Sequence, residues 1–494
     1  MGSEPRVLEN QLYEVWKSQN YSKELQTIAG DEVAVLDAGA ENLETGGPDF
    51  KNARIRIGNL TYVGDIEIDG DYQDWKSHGH NIDGKYNKVV LHASLFNKFN
   101  QPYVYTKDGR KVPTICLSEY ISNGTLDKLK TNSKAPQPKP NHKLKCAAEI
   151  VELDDNEKEK FISDLGIDRF KKKCNKLYQR LKELKYLQEL NIKEPVIRYD
   201  LTPEFNERKF SYDDFKEKAL WQQLLYEHIF EALGYSKNKG IMLSLSRAVD
   251  IDFIANATNN GNSQQKIEAA LFQVSGIMEK ATPGKDTVIK EYIELLNHHW
   301  DEVKDKYDNK TFNETQWHFF KLRPQNFPTI RLAAGARITK NLVYDDLIGT
   351  IIKKIDEIRN LNVLINSLRS LFVIKSDGFW SSHYIFDHSA KTGIKYFVGA
   401  ARADEIVINV ILPIFAIYFE IFGNKELAKK IFKIYSIYDQ KSDNKIVRDV
   451  AENLGMVDKL QKTIYSQGMI ELFRNFCSKN KCLECEIGKA VFSE

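Results

Sequence analysis

Gly47-Pro48-Asp49-Phe50 opens, Gly58-Asn59 divides and Gly64-Asp65-Ile66-Glu67-Ile68 closes the stretch of sequence that decides the fold. Apolar and polar residues alternate from Asn52 to Ile57 and again from Thr61 to Ile68, the period of a strand with one buried face. Gly58-Asn59 suits a two-residue turn, so the two runs read as a hairpin with Ile57 opposite Leu60. Keeping that register sets Asp49 opposite Ile68, beside Glu67, and Asn52 opposite Asp65. Asp65 and Glu67 are two residues apart and project from one face. Three carboxylates are therefore expected to converge.

Carboxylates packed that closely repel unless a cation neutralises them. A hard divalent ion, Mg²⁺ or Mn²⁺, takes such oxygen ligands and leaves positions for water and a phosphate. It turns water into a nucleophile at neutral pH and offsets charge on a phosphoryl transition state. Asp49, Asp65 and Glu67 are the expected metal ligands and catalytic residues.

Asp74-Trp75-Lys76-Ser77-His78-Gly79-His80-Asn81-Ile82-Asp83 follows, with Tyr86-Asn87 and His92 beyond it. His80 or Lys76 would assist as general base or phosphate contact. Alternatively, His78, His80 and Asp83 would ligate Zn²⁺ or Mn²⁺. His92, on an apolar strand, reads as a hydrogen-bonded core residue.

Working outward, residues 10–19 read as a short amphipathic helix, Asp31 to Leu36 as a strand, Asp71 to His80 as helix or loop, and Lys88 to Leu95 as a strand. The expected fold class is α+β: an N-terminal restriction-endonuclease-like α/β core followed by a mostly helical region. The α/β domain spans 1–125 and a Lys/Pro-rich linker 126–155. That linker holds Pro136, Pro138 and Pro140, with six Lys against one Asp between Asp127 and Lys145, the composition of a solvated connector. Residues 156–494 form the helical domain, with apolar residues at three- and four-residue spacing in 211–233, 264–281, 286–307, 343–371, 400–436 and 457–477.

At 494 residues, with 42% hydrophobic and 28% charged residues, the chain is too apolar for a disordered protein and too charged for a membrane-embedded one. Its net charge of +2 excludes a strong polycation and confines any nucleic-acid surface to a local patch. The most apolar stretch, Ile406 to Phe422, is interrupted by Asn409, Pro413 and Glu420 and reads as a buried helix rather than a membrane span. With no secretory signal pattern at Met1-Gly-Ser-Glu-Pro-Arg, the expected location is the cytoplasm, without membrane attachment.

Six cysteines in this length make no disulfide framework. Cys477, Cys482 and Cys485 form a C-x4-C-x2-C run that supplies three thiolates to zinc or to a [4Fe–4S] cluster, and Cys146 is the candidate fourth ligand. Such a link would tie the C-terminus back to the α/β unit. Cys116 and Cys174 read as ordinary residues. Arg323, Arg331 and Arg337 would make either a phosphate-contacting stripe or plain structural cations. Trp380, His383 and Tyr384 read as core and rim.

The hairpin resembles the PD-(D/E)xK nuclease superfamily, with Pro48-Asp49 as its first element and Asp65-Ile66-Glu67 as its second. Glu67 stands where that pattern has Lys, a change found in some restriction endonucleases of the superfamily. Glu14 would be the additional acid of some members. Several such nucleases bind an iron–sulfur cluster through one remote and three clustered cysteines, so the resemblance implies the cluster over zinc. Over nearly its whole length the chain also resembles a bacterial family catalogued as domain of unknown function 2851. The shared residues are Gly47 to Phe50, Gly64 to Ile68, Asp74-Trp75, His78, His80, Asp83, Tyr86-Asn87, His92, Leu271-Phe272, Leu322-Arg323-Pro324, Asn326-Phe327-Pro328, Ile408-Asn409, Pro413, Cys146, Cys477, Cys482, Cys485 and Ile487-Gly488. That family commonly has His at Asp69, so Asp69 is not expected to be essential.

The function expected from these readings is a Mg²⁺- or Mn²⁺-dependent nuclease cleaving DNA or RNA, with nucleic acid as partner. The alternatives are a non-catalytic binding module for nucleic acid or protein, and a metal-dependent hydrolase of small phosphate esters.

Overall fold

The hairpin forms as two long strands in a computed structural model that describes residues 9–42, 47–122, 144–147, 154–192, 203–278, 286–319, 322–390, 392–441 and 444–492. The expected linker lies mostly outside the described residues. The chain divides into two units, Met1–Lys139 with Thr315–Phe327, and Pro140–Glu314 with Pro328–Glu494. Residues 315–327, kept with the helices in the sequence reading, thus group with the first unit.

In the first unit a sheet runs in the order β1-β2-β4-β5-β6-β8-β7, with β3 paired to β4. The strands are β1 (Leu25–Gln26), β2 (Glu32–Asp37), β3 (Ala40–Glu41), β4 (Phe50–Ile57), β5 (Leu60–Asp71), β6 (Val89–Phe96), β7 (Tyr103–Tyr105) and β8 (Lys111–Cys116). Pairing is antiparallel from β1 to β5, parallel for β5 with β6 and β6 with β8, and antiparallel again for β7 with β8.

The register of the hairpin holds only near its turn. Ile57 faces Leu60 and Ala53 faces Gly64, but Phe50 faces Ile66, so β4 carries one extra residue between Phe50 and Ala53. Asn52 sits in this bulge with φ of +57°, a left-handed conformation that asparagine tolerates. The slip has a large consequence, because one residue of register exchanges the faces of a strand. Without it, Phe50 would lie opposite Glu67. With it, Phe50 joins Ile66 and Ile68 on the apolar face, against Leu12 and Trp16 of helix α1 (Glu9–Ser18).

The opposite face of β5 carries the acids. Parallel pairing of β5 and β6 needs a crossover, and helix α2 (Asp74–Ser77) with two 3₁₀ turns, His80–Ile82 and Gly84–Lys88, supplies it. Trp75 and Tyr86 from that crossover bury themselves with Val89, Val104 and Val112. Both faces of β5 are thereby covered from Asp65 to Asp69.

The second unit is mostly helical, led by the 35-residue helix Asp155–Glu189, which packs along Thr463–Asn475. The apolar stretch at 406–422 is buried as Leu412–Ile421 and the preceding π-helical turn Val407–Ile411. Among the described residues no helix is long and apolar enough to cross a membrane. Trp380 is fully buried and stacks on Phe272. Arg331 donates to the Phe397 carbonyl and the Tyr235 hydroxyl, while Arg337 pairs with Glu268 and Asp377. Both act as structural cations, so the phosphate-stripe reading fails for them.

Candidate metal centre on the acid face of β5

Asp65, Glu67 and Asp69 alternate along β5 and share its acid face, each less than a tenth exposed. Asp49, at the mouth of β4, is buried to the same degree. The bulge brings it to Glu67: the Asp49 N–H donates to Glu67 Oε2 at 3.1 Å, and the Ile68 N–H donates to Asp49 Oδ2 at 2.9 Å. Tyr13 reaches from α1 to donate its hydroxyl to Asp49 Oδ1. At Asp65, Oδ1 accepts from the Asn52 N–H at 3.0 Å, so the bulge residue orients this acid as well.

Asp69 is the hub that the sequence reading passed over. Its Oδ2 lies 3.1 Å from His92 Nε2, and its Oδ1 lies 3.2 Å from His78 Nδ1 and 3.7 Å from His80 Nε2. Burial alone would raise its pKa, but hydrogen bonds from His78, His80 and His92 outweigh that and hold the carboxyl well below the usual range. The ligand atoms of Asp69, His78 and His80 all lie within 4.8 Å of one another, the spacing a shared ion requires. The signal was present in the sequence: Asp65, Glu67 and Asp69 stand at every second position, hence on one face.

His80 is fully buried, with Nε2 at 3.0 Å from Glu67 Oε1. Its ring lies 4.2 Å from that of Tyr86 and 5.2 Å from that of Trp75, centroid to centroid. This burial, partly opposed by Asp69, lowers its pKa and keeps the imidazole neutral, the form that ligates a metal or accepts a proton. His80 thus stands against Glu67. His92 is the hydrogen-bonded core residue expected, with Asp69 as its partner.

Other readings are corrected. Asp83 does not complete a set with His78 and His80; it caps a 3₁₀ turn, accepting from the Lys85 N–H at 3.0 Å. Asp69 takes that place. Lys76 is exposed on α2, while its neighbour Trp75 faces inward. Glu14 has a side chain 74% exposed and pairs with Lys17, so it adds no acid to the site.

The donors described here, a tyrosine hydroxyl, backbone N–H groups and imidazoles, orient the four carboxylates. Asp49, Asp65 and Glu67 do not form a group spaced to share an ion, whereas Asp69, His78 and His80 do, and a carboxylate with two imidazoles suits Mn²⁺ or Zn²⁺. The site is closed except at His78, whose side chain is 18% exposed, and at Asp74, 30% exposed, which lies 3.9 Å from His78 Nε2.

Elsewhere, Cys146 and Cys485 are buried and Cys477 packs against the same apolar cluster in the second unit. Burial, then the neighbouring thiolates, push the Cys146 thiol up to about 11 and Cys477 up to about 12. Cys146 belongs to the helical unit with the three C-terminal cysteines, so a link through it would run within that unit and not, as expected, back to the α/β unit. Cys116 lies against the Leu95 carbonyl and Cys174 against the Pro413 carbonyl.

A family model described as "Protein of unknown function (DUF2851)" matches residues 9–211 and 207–445. Every residue of the acid face lies inside the first match, and the C-terminal cysteines lie beyond the second. No curated protein and no solved structure matches the chain.

Proposed function

We propose that this chain, which belongs to the DUF2851 family by a match over most of its length, is a metal-dependent hydrolase of phosphodiester bonds in DNA or RNA. One observation carries the reading: Asp49, Asp65, Glu67 and Asp69 are buried on one sheet face with two histidines against them. Mg²⁺ or Mn²⁺ held there would supply a nucleophile from water and offset charge on the phosphoryl group. Asp49, Asp65 and Glu67 are the oxygen ligands in this reading; their ligand atoms are not within 4.8 Å of one another as those of Asp69, His78 and His80 are, so the three must close on the ion to hold it. Asp69 orients His78 and His80, and His80, neutral at pH 7, takes the proton. The Pro48-Asp49 and Asp65-Ile66-Glu67 elements, in their resemblance to PD-(D/E)xK nucleases, support the same chemistry.

The test is cleavage of single- and double-stranded DNA and RNA by the purified chain with Mg²⁺ or Mn²⁺. Cleavage is expected to need the ion, to stop with chelator and to fall at least about 100-fold in Asp65→Ala, as for loss of a residue that orients a metal-bound reactant. Undiminished cleavage by that variant would remove the assignment.

A second reading, a hydrolase of small phosphodiesters, is favoured by the closure of the site, since Glu67, Asp69 and His80 are all but inaccessible. Turnover of a chromogenic phosphodiester without cleavage of any polynucleotide would select it.

A further inference from the structure

Three cysteines from two distant parts of the helical unit, Cys146, Cys477 and Cys485, reach one core, and Cys482 is near enough to act electrostatically on Cys146. Cys146 lies in the turn Leu144–Ala147, closed by the Ala147 N–H donating to the Leu144 carbonyl. That turn is fastened to the helix Lys445–Leu454 by the Leu144 N–H, which donates to Asn453 Oδ1 at 3.3 Å. Leu144, Cys146 and Cys485 share their cluster with Val450, Leu454, Met469 and Ile487. All four thiols are free.

The C-terminal three are brought together by successive tight turns. The Lys481 N–H donates to the Phe476 carbonyl, the Asn480 N–H to Cys477 and the Cys485 N–H to Cys482. Asn480 adopts φ of +55° to make the first of these turns. Gly488 matters for a different reason. A Cβ there would overlap the Cys482 carbonyl, with the carbonyl carbon only 2.8 Å away. The missing side chain lets the chain beyond Cys485 fold back onto Cys482.

Among the described residues, no three sulfurs come within 4.8 Å of one another. One zinc ion with Zn–S bonds of about 2.3 Å would hold all four within roughly 4 Å. A cubane takes one thiolate at each iron and spreads them more widely.

We propose that Cys146, Cys477, Cys482 and Cys485 are the four thiolate ligands of an iron–sulfur cluster that fastens the C-terminal segment to the turn at residues 144–147. The cluster is independent of the phosphodiester reading, and either stands if the other fails. Its role in the fold is the one a disulfide plays elsewhere: it closes a loop of more than 300 residues and lowers the entropy of the unfolded chain.

The experiment uses the full chain, purified without oxygen from iron-supplemented culture. Expected are a brown protein with broad visible absorption that dithionite bleaches, and roughly four irons and four sulfides per chain. Cys146→Ser and Cys482→Ser are expected to lose most of the iron, while Cys116→Ser keeps it. One zinc and no iron would overturn the cluster, and absence of both metals would overturn the site. Iron fully retained in Cys146→Ser would overturn the fourth ligand. Should a variant misfold, the wild-type protein decides. Iodoacetamide labelling is expected to rise by four thiols when a chelator strips the iron, and an unchanged count would overturn the proposal.

Discussion

Asp69 is where three histidines meet, and that makes its carboxylate the side chain on which the acid face most depends. Removing it leaves His78, His80 and His92 facing an empty position in a buried site. Asp69→Ala is therefore expected to cost about 3 kcal/mol of stability, the scale of a buried charged partner lost, measured by urea unfolding with chelator present. Acid should weaken the fold in the same direction. His80 has a folded pKa below its ordinary 6.5, so below that pH the unfolded chain binds a proton that the folded chain does not. Stability is then lost as pH falls from about 7 through the folded pKa of His80. Asp69, also depressed, adds its loss only below the ordinary carboxylate range. Unfolding titrations at pH 7 and pH 5.5 should show the decline, and His80→Gln should flatten it. A slope unchanged in that variant would assign the effect elsewhere. The sequence made Asp65 and Glu67 visible through alternation alone. Asp69 obeys the same alternation. Its importance comes from histidines on the crossover and on β6, contacts that no local pattern encodes.

At the scale of elements, the turn and both long strands were legible because a period of two and Gly58-Asn59 agree. The bulge was not. A register extrapolated from the turn assumes equal spacing on both strands, and one left-handed asparagine breaks that assumption. The error mattered, since the extrapolated register puts Phe50 among the acids. The expected helix at 343–371 breaks into pieces for a comparable reason. Asp346 and Asn360 are turned outward as N-caps, accepting from Gly349 and from Asn362 and Val363, and apolar periodicity does not register a cap. The helix Asp155–Glu189 escaped separate notice because its buried stripe is diluted by many Lys and Glu. The contact between β5 and β6 offers an element-level test. A Cβ on Gly64 would lie 2.5 Å from the Lys88 carbonyl oxygen and nearer still to Val90. Gly64→Ala must force these parallel strands apart just before Asp65, at about 1–3 kcal/mol for overpacking. The expected result is a lower Tm together with weaker Mn²⁺ binding by calorimetry. A normal Tm with normal metal binding would mean that the strand pair yields without moving the acids.

For the whole molecule, composition and periodicity separated a sheet-bearing N-terminal region from a helical remainder, and the structure has those two parts. What they did not reveal is that the first unit is discontinuous in sequence. Residues 315–327 leave the helical run to complete it, with Trp317 almost fully buried and His318 accepting from Lys85 Nζ at 3.1 Å. Thr315 meets the crossover at Gly84, where its methyl carbon lies 4.0 Å from the position of a Cβ. Segments joined only through long-range contacts leave no periodic trace, and this one is too short and too polar to signal a strand or helix. The consequence can be tested by dissection. A fragment of residues 1–139 contains every strand of the sheet but lacks Trp317 and Phe327, and the 3₁₀ turn that carries Lys85 loses its partner. Such a fragment should melt at a lower temperature than the same fragment carrying residues 315–327 on a flexible Gly/Ser linker. Covering Trp317 alone contributes about 2–3 kcal/mol from burial of its ring, enough to move the Tm of a domain this size by roughly 5–10 °C. Trp317→Ala in the linked fragment should return the Tm to that of the fragment alone. Equal melting temperatures for the two fragments would mean that the sheet and its crossover hold the acid face without the inserted segment.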